Sequence, residues 1–188
     1  MSTIILDVNT TALDYSAASY KFVQLFQAQK SFKRWITLMQ EIPMVEGHTF
    51  ESKAMIAMGE LEKEEQVYVV EEEKQQLLDL LLQSPAYENT KQILTMLRNT
   101  GREVVGMLNT ENKHAIKQLL FSGLDDAFDS IVCAADDEMA SVIKDYSAKK
   151  GKTILVTGNV NRNPLPAGSP VQVMDIAEVF TLLTEKVA

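Results

Sequence analysis

The residue whose type and position best suit chemistry is Asp7, which directly follows the apolar run at residues 4–6. An ionised carboxylate is a nucleophile that forms a covalent ester or an acyl-phosphate, and it thereby divides one difficult displacement into two easier steps. A lone aspartate in this place is also a credible cap for the turn after a strand. The surrounding pattern favours the chemical role, and we expect any chemistry of this chain to run through Asp7.

Other familiar catalytic groups do not lie in persuasive positions. Cys133 lies in an apolar run and is interpreted as a small buried hydrophobe. His48 lies beside Gly47 in a predicted loop, and His114 belongs to a predicted helix, so neither supports a Ser-His-Asp or Cys-His arrangement. The sequence also lacks a Walker phosphate-binding loop and the GxGxxG fingerprint.

Two kinds of secondary-structure pattern divide the chain. A short apolar strand at residues 4–6 is followed by helical spacing, with predicted helices at 17–40, 51–60 and 69–82. From residue 84 onward strands and helices alternate: the predicted strands are 104–108, 130–134, 153–157 and 171–174, and the predicted helices are 87–99, 112–121, 138–149 and 176–186. Such alternation predicts a parallel sheet covered on both faces.

We therefore predict an α/β fold in two parts. A three-layer Rossmann-like core with a parallel sheet is assigned to residues 1–15 and 84–188, and an inserted α-helical cap to residues 16–83. In open parallel sheets the ligand crevice lies beyond the carboxyl ends of the strands. The polar residues that follow the predicted strands, besides Asp7, are Asn109, Thr110, Asp136, Asp137 and residues 157–162. A cap above this crevice would exclude water and select substrates.

Composition excludes several classes of partner. With 188 residues, of which 46% are hydrophobic, the chain is long enough to bury a core. Its formal net charge of −8 argues against nucleic acid, because that affinity depends on clustered Lys and Arg. We expect no membrane association, since no apolar run approaches the length of a spanning helix and the N-terminus lacks a basic signal region. A single cysteine suits a reducing compartment, and a cytoplasmic location is expected.

The sequence resembles the haloacid dehalogenase superfamily. Residues 84–132 have its cadence: a helix, Thr100-Gly101, an apolar strand, a polar loop, and a helix followed by the letters GLDDAFDSIV. Asp7, with Thr11 four residues later, matches the first motif, in which the aspartate is the nucleophile. The resemblance is strongest to the branch with a helical cap after the first strand, which includes the 2-haloacid dehalogenases. It implies a core of that superfamily's fold, with Asp7 and Thr11 in the catalytic site.

One departure from the phosphatases of this superfamily concerns Asn9. Those enzymes place a second aspartate two residues after the nucleophile, where it protonates the leaving group, and an asparagine cannot do so. A halide needs no proton to leave. The departure therefore favours the dehalogenase-like branch and makes Asn9 a candidate for substrate binding.

The second and third motifs are matched loosely. The second is a serine or threonine after the second core strand that binds substrate oxygens. Asn109 occupies that position with Thr110 beside it, and an ordinary polar turn is an equal alternative. The third is a lysine that normally precedes a proline, and no Lys-Pro pair occurs in the sequence. Lys144 is the nearest candidate, with a solvated helical lysine as the alternative.

The fourth motif and the cap arginine also differ. Thr157 and Asn159 match the serine and asparagine of the dehalogenase loop, but Arg162 stands where an aspartate is expected. With so few carboxylates at the site, we predict neither a metal site nor another cofactor. The cap arginine that binds halide and carboxylate falls on Gln27, which lacks its charge and bidentate geometry. Three further acids are interpreted as helix caps or surface groups: Asp136, Asp137 and Asp175.

Two functions from different classes are compatible with this pattern. The first is a hydrolase acting through Asp7 on a small carboxylated or phosphorylated molecule, with an active 2-haloacid dehalogenase as its ordinary form. The second is a protein with a degenerate site, kept as a ligand-binding or protein-interaction module. Four features of the family are absent together: the acid at Asn9, the Lys-Pro pair, the loop aspartate at Arg162 and the cap arginine at Gln27. Their absence favours inactive or strongly altered chemistry over a dehalogenase, and either of these over a magnesium phosphatase. The partners expected are a small-molecule substrate or ligand and, as an option left open, a second copy of the chain in a homodimer.

Overall fold

The centre of the molecule is a parallel sheet of five strands in the order β3-β2-β1-β4-β5. The computed structural model describes residues 2–27, 29–43, 45–158, 165 and 168–185. The strands are β1 (Thr3–Asp7), β2 (Glu103–Leu108), β3 (Ser130–Cys133), β4 (Thr153–Val156) and β5 (Gln172–Met174). Because β1 pairs with both β2 and β4, the strand order reverses at β1. In such sheets the ligand crevice lies at the carboxyl end of the strands where the order reverses.

Helices cover both faces of this sheet. In chain order, the helices of the described residues are α1 (Val8–Thr11), α2 (Ser16–Phe26), α3 (Gln29–Glu41), α4 (Phe50–Glu65), α5 (Glu71–Leu82), α6 (Thr90–Asn99), α7 (Asn112–Ser122), α8 (Asp136–Lys150) and α9 (Ile176–Glu185). Ile4 and Leu6 of β1 belong to the hydrophobic cluster that includes α6, α7 and α9, whereas Ile5 belongs to the cluster that includes α8. This division follows from the two-residue period of a strand. The prediction of a three-layer α/β fold is confirmed.

Helices α2 to α5 share a hydrophobic cluster of their own. At its centre the rings of Phe22 and Trp35 stack with centroids 4.9 Å apart. The indole N–H of Trp35 donates to the carbonyl oxygen of Ala54 at 2.9 Å, so the polar end of this buried side chain is satisfied. We call these four helices the cap. The predicted boundaries at 15/16 and 83/84 stay a prediction. The buried residues of the cap cluster lie between them, and those of the two sheet clusters lie outside them.

The two chain segments that join the cap to the rest of the molecule lie side by side. Leu13 and Ala86 form an antiparallel bridge. On either side of it, the Asp14 N–H donates to the Pro85 carbonyl at 2.7 Å, and the Tyr87 N–H donates to the Ala12 carbonyl at 3.0 Å. The cap therefore leaves and re-enters the core through one paired junction.

The single helix predicted over residues 17–40 is wrong, because it is two helices. Gln27 ends α2 in the left-handed region at φ 53°, with its N–H donating to the Val23 carbonyl at 2.7 Å. Phe22 stacks on Phe26 of its own helix at a centroid distance of 4.5 Å, and the break lets Phe32 of α3 approach Phe22 edge-on at 5.5 Å. Aromatic packing in the cap thus accompanies the interruption of a continuous helical pattern.

Other predicted elements differ mainly at their ends. The helix predicted at 51–60 extends over Phe50–Glu65, and the one predicted from residue 87 begins at Thr90. The helix predicted at 138–149 begins with Asp136, which makes that aspartate a helical residue. None of the described helices is both long and apolar enough to cross a bilayer.

Candidate active site

Asp7 ends β1 with its carboxylate held on one side only. Oδ2 accepts hydrogen bonds from the hydroxyls of Thr10 at 2.7 Å and Thr157 at 3.1 Å. Oδ1 is buried and makes no hydrogen bond to any residue that the structure describes. One oxygen is therefore fixed in direction by two donors, and the other keeps its lone pairs available.

Burial raises the pKa of the Asp7 carboxyl above its ordinary value. The hydrogen bonds from Thr10 and Thr157 and the positive charge of Lys53 act in the opposite direction and offset part of this rise. A carboxylate acts as a nucleophile only when ionised, so these three groups determine how much of Asp7 is competent at a given pH.

A cavity of about 240 Å³ lies against Asp7, between the carboxyl edge of the sheet and the cap. Most of its wall is apolar and includes Leu13, Tyr15, Ile36, Met39, Phe50 and Met139. Its polar lining comprises Asp7, Asn9, Thr10, Gln40, Lys53, Asp136 and Thr157. A mostly apolar cavity with a few convergent polar groups is typical of a small-molecule site.

The positive charge in this lining comes from the cap. Lys53, on α4, places Nζ 2.6 Å from Oδ1 of Asp136, the first residue of α8. The two side chains are 13% and 1% exposed, so the ion pair is screened little by solvent. The interpretation of Asp136 as a cap or surface acid was wrong: it is a buried partner of the cavity lysine.

Sequence reasoning missed Lys53, although a signal for it exists. Phe50, Ala54, Ala57 and Leu61 are buried and mark the inward stripe of α4 at helical spacing. Lys53 lies three residues after Phe50 and so falls beside this stripe, where a lysine must find a partner for its charge.

Two predicted site residues hold the loop after β1 in place. The Thr11 hydroxyl donates to the Asp7 carbonyl oxygen at 2.6 Å and does not line the cavity. Asn9 does line it, with Oδ1 accepting the Asn109 N–H at 2.9 Å. Asn9 thereby ties the loops after β1 and β2 together next to the nucleophile position.

The other predicted residues after β2 contact the cap and the loop after β3. The Asn109 amide donates to the Ala134 carbonyl at 2.9 Å. The Thr110 hydroxyl donates to the carboxylate of Glu51, which also accepts the Glu111 N–H at 3.1 Å and lies 3.0 Å from Nδ1 of His114. Neither Asn109 nor Thr110 is among the residues that line the cavity. The prediction that they contact substrate therefore lacks support from their positions.

The contacts of Glu51 determine its ionisation. Burial would raise its pKa, but the hydrogen bonds that the carboxylate accepts, those with Thr110 and His114 foremost, together hold the pKa of this carboxyl below its ordinary value. Glu51 is therefore an ionised anchor through which the cap binds the loop after β2.

Two predicted residues lie away from the cavity. Lys144 is exposed on α8, because its neighbour Ile143 occupies the face of the helix that packs on the sheet. Gln27 is exposed at the end of α2 and does not replace the expected cap arginine in the cavity. Asn159 and Arg162 lie outside the described residues. Thr157 is where the resemblance implied, beside Asp7.

The remaining acids agree with their interpretation as caps or surface groups. Oδ1 of Asp175 accepts the Glu178 N–H at 2.7 Å at the start of α9. Asp137 is exposed, and its Oδ1 accepts the Gly47 N–H of the cap at 3.0 Å.

Solved structures with the same architecture include an L-2-haloacid dehalogenase that superposes with a TM-score of 0.74, covering 100% of this chain and 99% of that chain at 14% sequence identity. This chain has the haloacid dehalogenase fold. The L-2-haloacid dehalogenase of Xanthobacter autotrophicus, with chloropropionic acid covalently bound, gives a TM-score of 0.68 at 11% identity and covers 85% and 72% of the two chains. The magnesium-bound HAD-hydrolase YfnB of Bacillus subtilis gives 0.64 at 17% identity, covering 97% and 98%.

The two other comparisons give no match: neither protein-family models nor curated proteins align with this sequence. The haloacid dehalogenase fold is therefore shown by structural likeness alone. Sequence identities this low establish the fold, and activity has to be argued from the site.

Among the described residues, those around Asp7 are poorly suited to bind a magnesium ion. They include no group of three His, Cys, Asp or Glu side chains arranged to hold a metal. Oδ1 of Asn9 is engaged by the Asn109 N–H, and the ammonium of Lys53 lies in the same cavity as Asp7. A hard dication needs several oxygen ligands, and a neighbouring cation opposes its binding.

Proposed function

We propose that this protein is a hydrolase that uses Asp7 as its nucleophile on a small, mostly apolar molecule. One observation carries the proposal: Oδ1 of Asp7 is buried without a hydrogen-bond partner among the described residues, while Oδ2 is anchored by Thr10 and Thr157. Leaving a buried carboxylate oxygen without a donor costs free energy, and a catalytic role is one reason for a protein to keep such a group. The cavity beside it supplies room for the reacting atom.

The proposed reaction has two steps. In the first, an Asp7 oxygen attacks a carbon that bears a leaving group; a C–O bond forms, and the leaving group departs as an anion with the bonding electron pair. In the second, water adds to the resulting ester, which releases an alcohol, one proton and the regenerated carboxylate. Asn9 is uncharged and supplies no acid, so a leaving group that departs without protonation suits this site.

The test is a panel of short 2-haloacids, haloalkanes and phosphate monoesters, assayed with the wild-type protein and with Asp7→Asn. We expect turnover of a halogenated substrate by the wild type, a loss of at least about 100-fold in the variant, and equal rates with magnesium and with a chelator. Equal turnover by Asp7→Asn would overturn the proposal. Hydrolysis of phosphate monoesters that requires magnesium would contradict the predicted reaction class.

A ligand-binding module without turnover is the second candidate. It is favoured by the engagement of Thr110 with Glu51 and of Asn109 with Ala134, which leaves both away from the cavity. It is favoured also by the exposure of Lys144 and Gln27. For such a module, binding of halogenated ligands would survive in Asp7→Asn, and no product would form with either protein.

A further inference from the structure

Lys53 reaches the cavity because α4 is docked on the core at several points. The Phe50 N–H donates to the Asn109 carbonyl at 2.7 Å, and the Asp136 N–H donates to the His48 carbonyl at 2.9 Å. Glu51 accepts the Thr110 hydroxyl and the Glu111 N–H. These contacts lie within a few residues of Lys53, so its position depends on the cap being seated on the loops after β2 and β3.

The core side of the ion pair is a carboxylate at the start of a helix. Asp136 is the first residue of the 15-residue helix α8, and it is followed by two more acids. A carboxylate at a helix N-terminus is stabilised by the helix dipole and the free N–H groups. The Lys53 ammonium lies 2.6 Å from Oδ1 of Asp136 and its side chain is 13% exposed, so the ion pair fixes its direction.

We propose that Lys53 is a positioning residue: it is the cap-borne positive charge that faces the Asp7 carboxylate, and Asp136 holds it there. Helix α8 does not supply a positive charge to Asp7, because its first turn carries acids and its Lys144 is exposed. The structure thus assigns the carboxylate of the pair to the core and the ammonium to the cap, so that the nucleophile meets its counter-charge when the cap is seated.

The other titratable groups of the cavity do not supply this charge. They are Tyr15 and Tyr87, besides Asp7 and Asp136. Burial, and then the charge of Asp7, raise the pKa of Tyr15 well above its ordinary value, so Tyr15 stays neutral over the working pH range. Within the described cavity lining, Lys53 is the single cationic side chain. Its charge lowers the pKa of Asp7 against the effect of burial.

The test is a titration of Asp7 in the full chain by carbon-detected NMR of the side-chain carboxyl, with the signal assigned by its loss in Asp7→Asn. We expect Lys53→Met to raise the Asp7 pKa by about one pH unit or more, as removal of a nearby opposite charge does. Lys53→Arg keeps the charge and should restore most of the wild-type value. Lys144→Met, a matched loss of an exposed lysine, should leave the titration unchanged.

Two outcomes would overturn the inference: an unchanged Asp7 titration in Lys53→Met, or an equal shift in Lys144→Met. Backbone spectra of Lys53→Met that retain the wild-type cap signals show that the cap remains seated, and rescue by Lys53→Arg makes the same point. The inference rests on the proposed function only for calling Asp7 a nucleophile. A shifted titration without turnover would support Lys53 and refute the proposed function, and turnover without a shift would do the reverse.

Discussion

At the scale of single residues, the site is defined by the unequal treatment of the two Asp7 oxygens. The hydroxyls of Thr10 and Thr157 converge on Oδ2, and they lie 3.3 Å from each other. Thr10 in turn accepts the Gly158 N–H at 3.0 Å. The loops after β1 and β4 are therefore joined through the group that orients the carboxylate, and the geometry of Asp7 depends on their close approach.

Gly158 permits this approach because it has no side chain. A Cβ at this position would lie 2.2 Å from the Thr10 carbonyl oxygen, which is backbone and yields only if the loop shifts. We expect Gly158→Ala to lower the free energy of unfolding by about 1–3 kcal/mol, as overpacking does. Urea denaturation measures this change.

Gly59→Ala is the matched control for Gly158→Ala. Gly59 lies inside α4, and a Cβ there meets nothing within 4 Å. Alanine in a helix interior should raise the free energy of unfolding by about 0.5–1 kcal/mol relative to glycine. Stability of Gly158→Ala equal to that of the wild type would show that the two loops do not need this contact.

The raised pKa of Asp7 makes a second residue-scale prediction. The folded protein binds this proton more tightly than the unfolded chain, so the ionised carboxylate opposes folding above the raised pKa, and the penalty vanishes below the ordinary value of 3.8. Asp7→Asn removes the charge. We expect its Tm at pH 7 to exceed that of the wild type by roughly 2–4 °C, the shift that about 1 kcal/mol produces in a domain of this size.

The pH dependence of the Tm difference between Asp7→Asn and the wild type tests whether the Asp7 charge causes it. The advantage of Asp7→Asn should shrink as the pH falls toward 3.8, because the wild-type carboxyl then becomes protonated as well. Asp126→Asn is the control: Asp126 is exposed, and its hydrogen bond with Lys91 lowers its pKa, so removing its charge should give no increase in Tm. A lower Tm for Asp7→Asn at pH 7 would contradict a carboxylate that is destabilised by burial.

At the scale of elements, the docking of α4 links the cap to the loops that carry the site. Glu51 is its most connected side chain, with the Thr110 hydroxyl, the Glu111 N–H and the His114 ring around one oxygen. Phe50 adds a backbone hydrogen bond from its N–H to the Asn109 carbonyl. One turn of helix therefore holds two core loops and brings Lys53 to the cavity.

Glu51→Ala tests this docking. It leaves the buried Thr110 hydroxyl without its acceptor, so we expect the free energy of unfolding to fall by about 1–3 kcal/mol. Hydrogen exchange of the Phe50 amide, which donates to Asn109, should become faster. Glu60→Ala on the same helix is the control, because Glu60 and its partner Lys63 are both exposed, and its effect should remain within about 0.5 kcal/mol. If Glu51→Ala and Glu60→Ala lowered the free energy of unfolding equally, Glu51 would not anchor the cap.

The elements themselves were largely predictable from the sequence. Buried parallel strands are continuous apolar runs, so residues 4–6, 104–108 and 153–157 were recognisable, and the polar residues that follow them include Asp7 and Thr157. Thr10 was missed because its role depends on the turn geometry of α1, which the apolar pattern does not encode.

What the sequence concealed is the relation between distant elements. Lys53 and Asp136 are 83 residues apart and meet only because the cap is seated on the start of α8. The interruption at Gln27 was likewise hidden, since the packing of Phe22 against Phe32 and Trp35 of the next helix overrides a continuous helical pattern. A lysine assigned by its position along the chain, Lys144, therefore lies on the surface, while the lysine of the cavity comes from an inserted element.

At the scale of the whole molecule, the core and the cap meet at the cavity that Asp7 lines. The sheet presents Asp7 at the strand where its order reverses, and the cap covers that edge with an apolar wall and one ammonium. Covering removes water from the carboxylate, which strengthens the electrostatic influence of each remaining charge. The fold thus combines a nucleophile position from the core with an environment supplied by the cap.

The most direct test of Asp7 as nucleophile is mass spectrometry of acid-quenched protein after brief exposure to short haloalkanes and 2-haloacids. The account predicts that the peptide containing Asp7 gains the mass of the organic group without the halogen, and that the Asp7→Asn protein gains none. Product release without any adduct on Asp7, or an adduct on another residue that persists in Asp7→Asn, would contradict it.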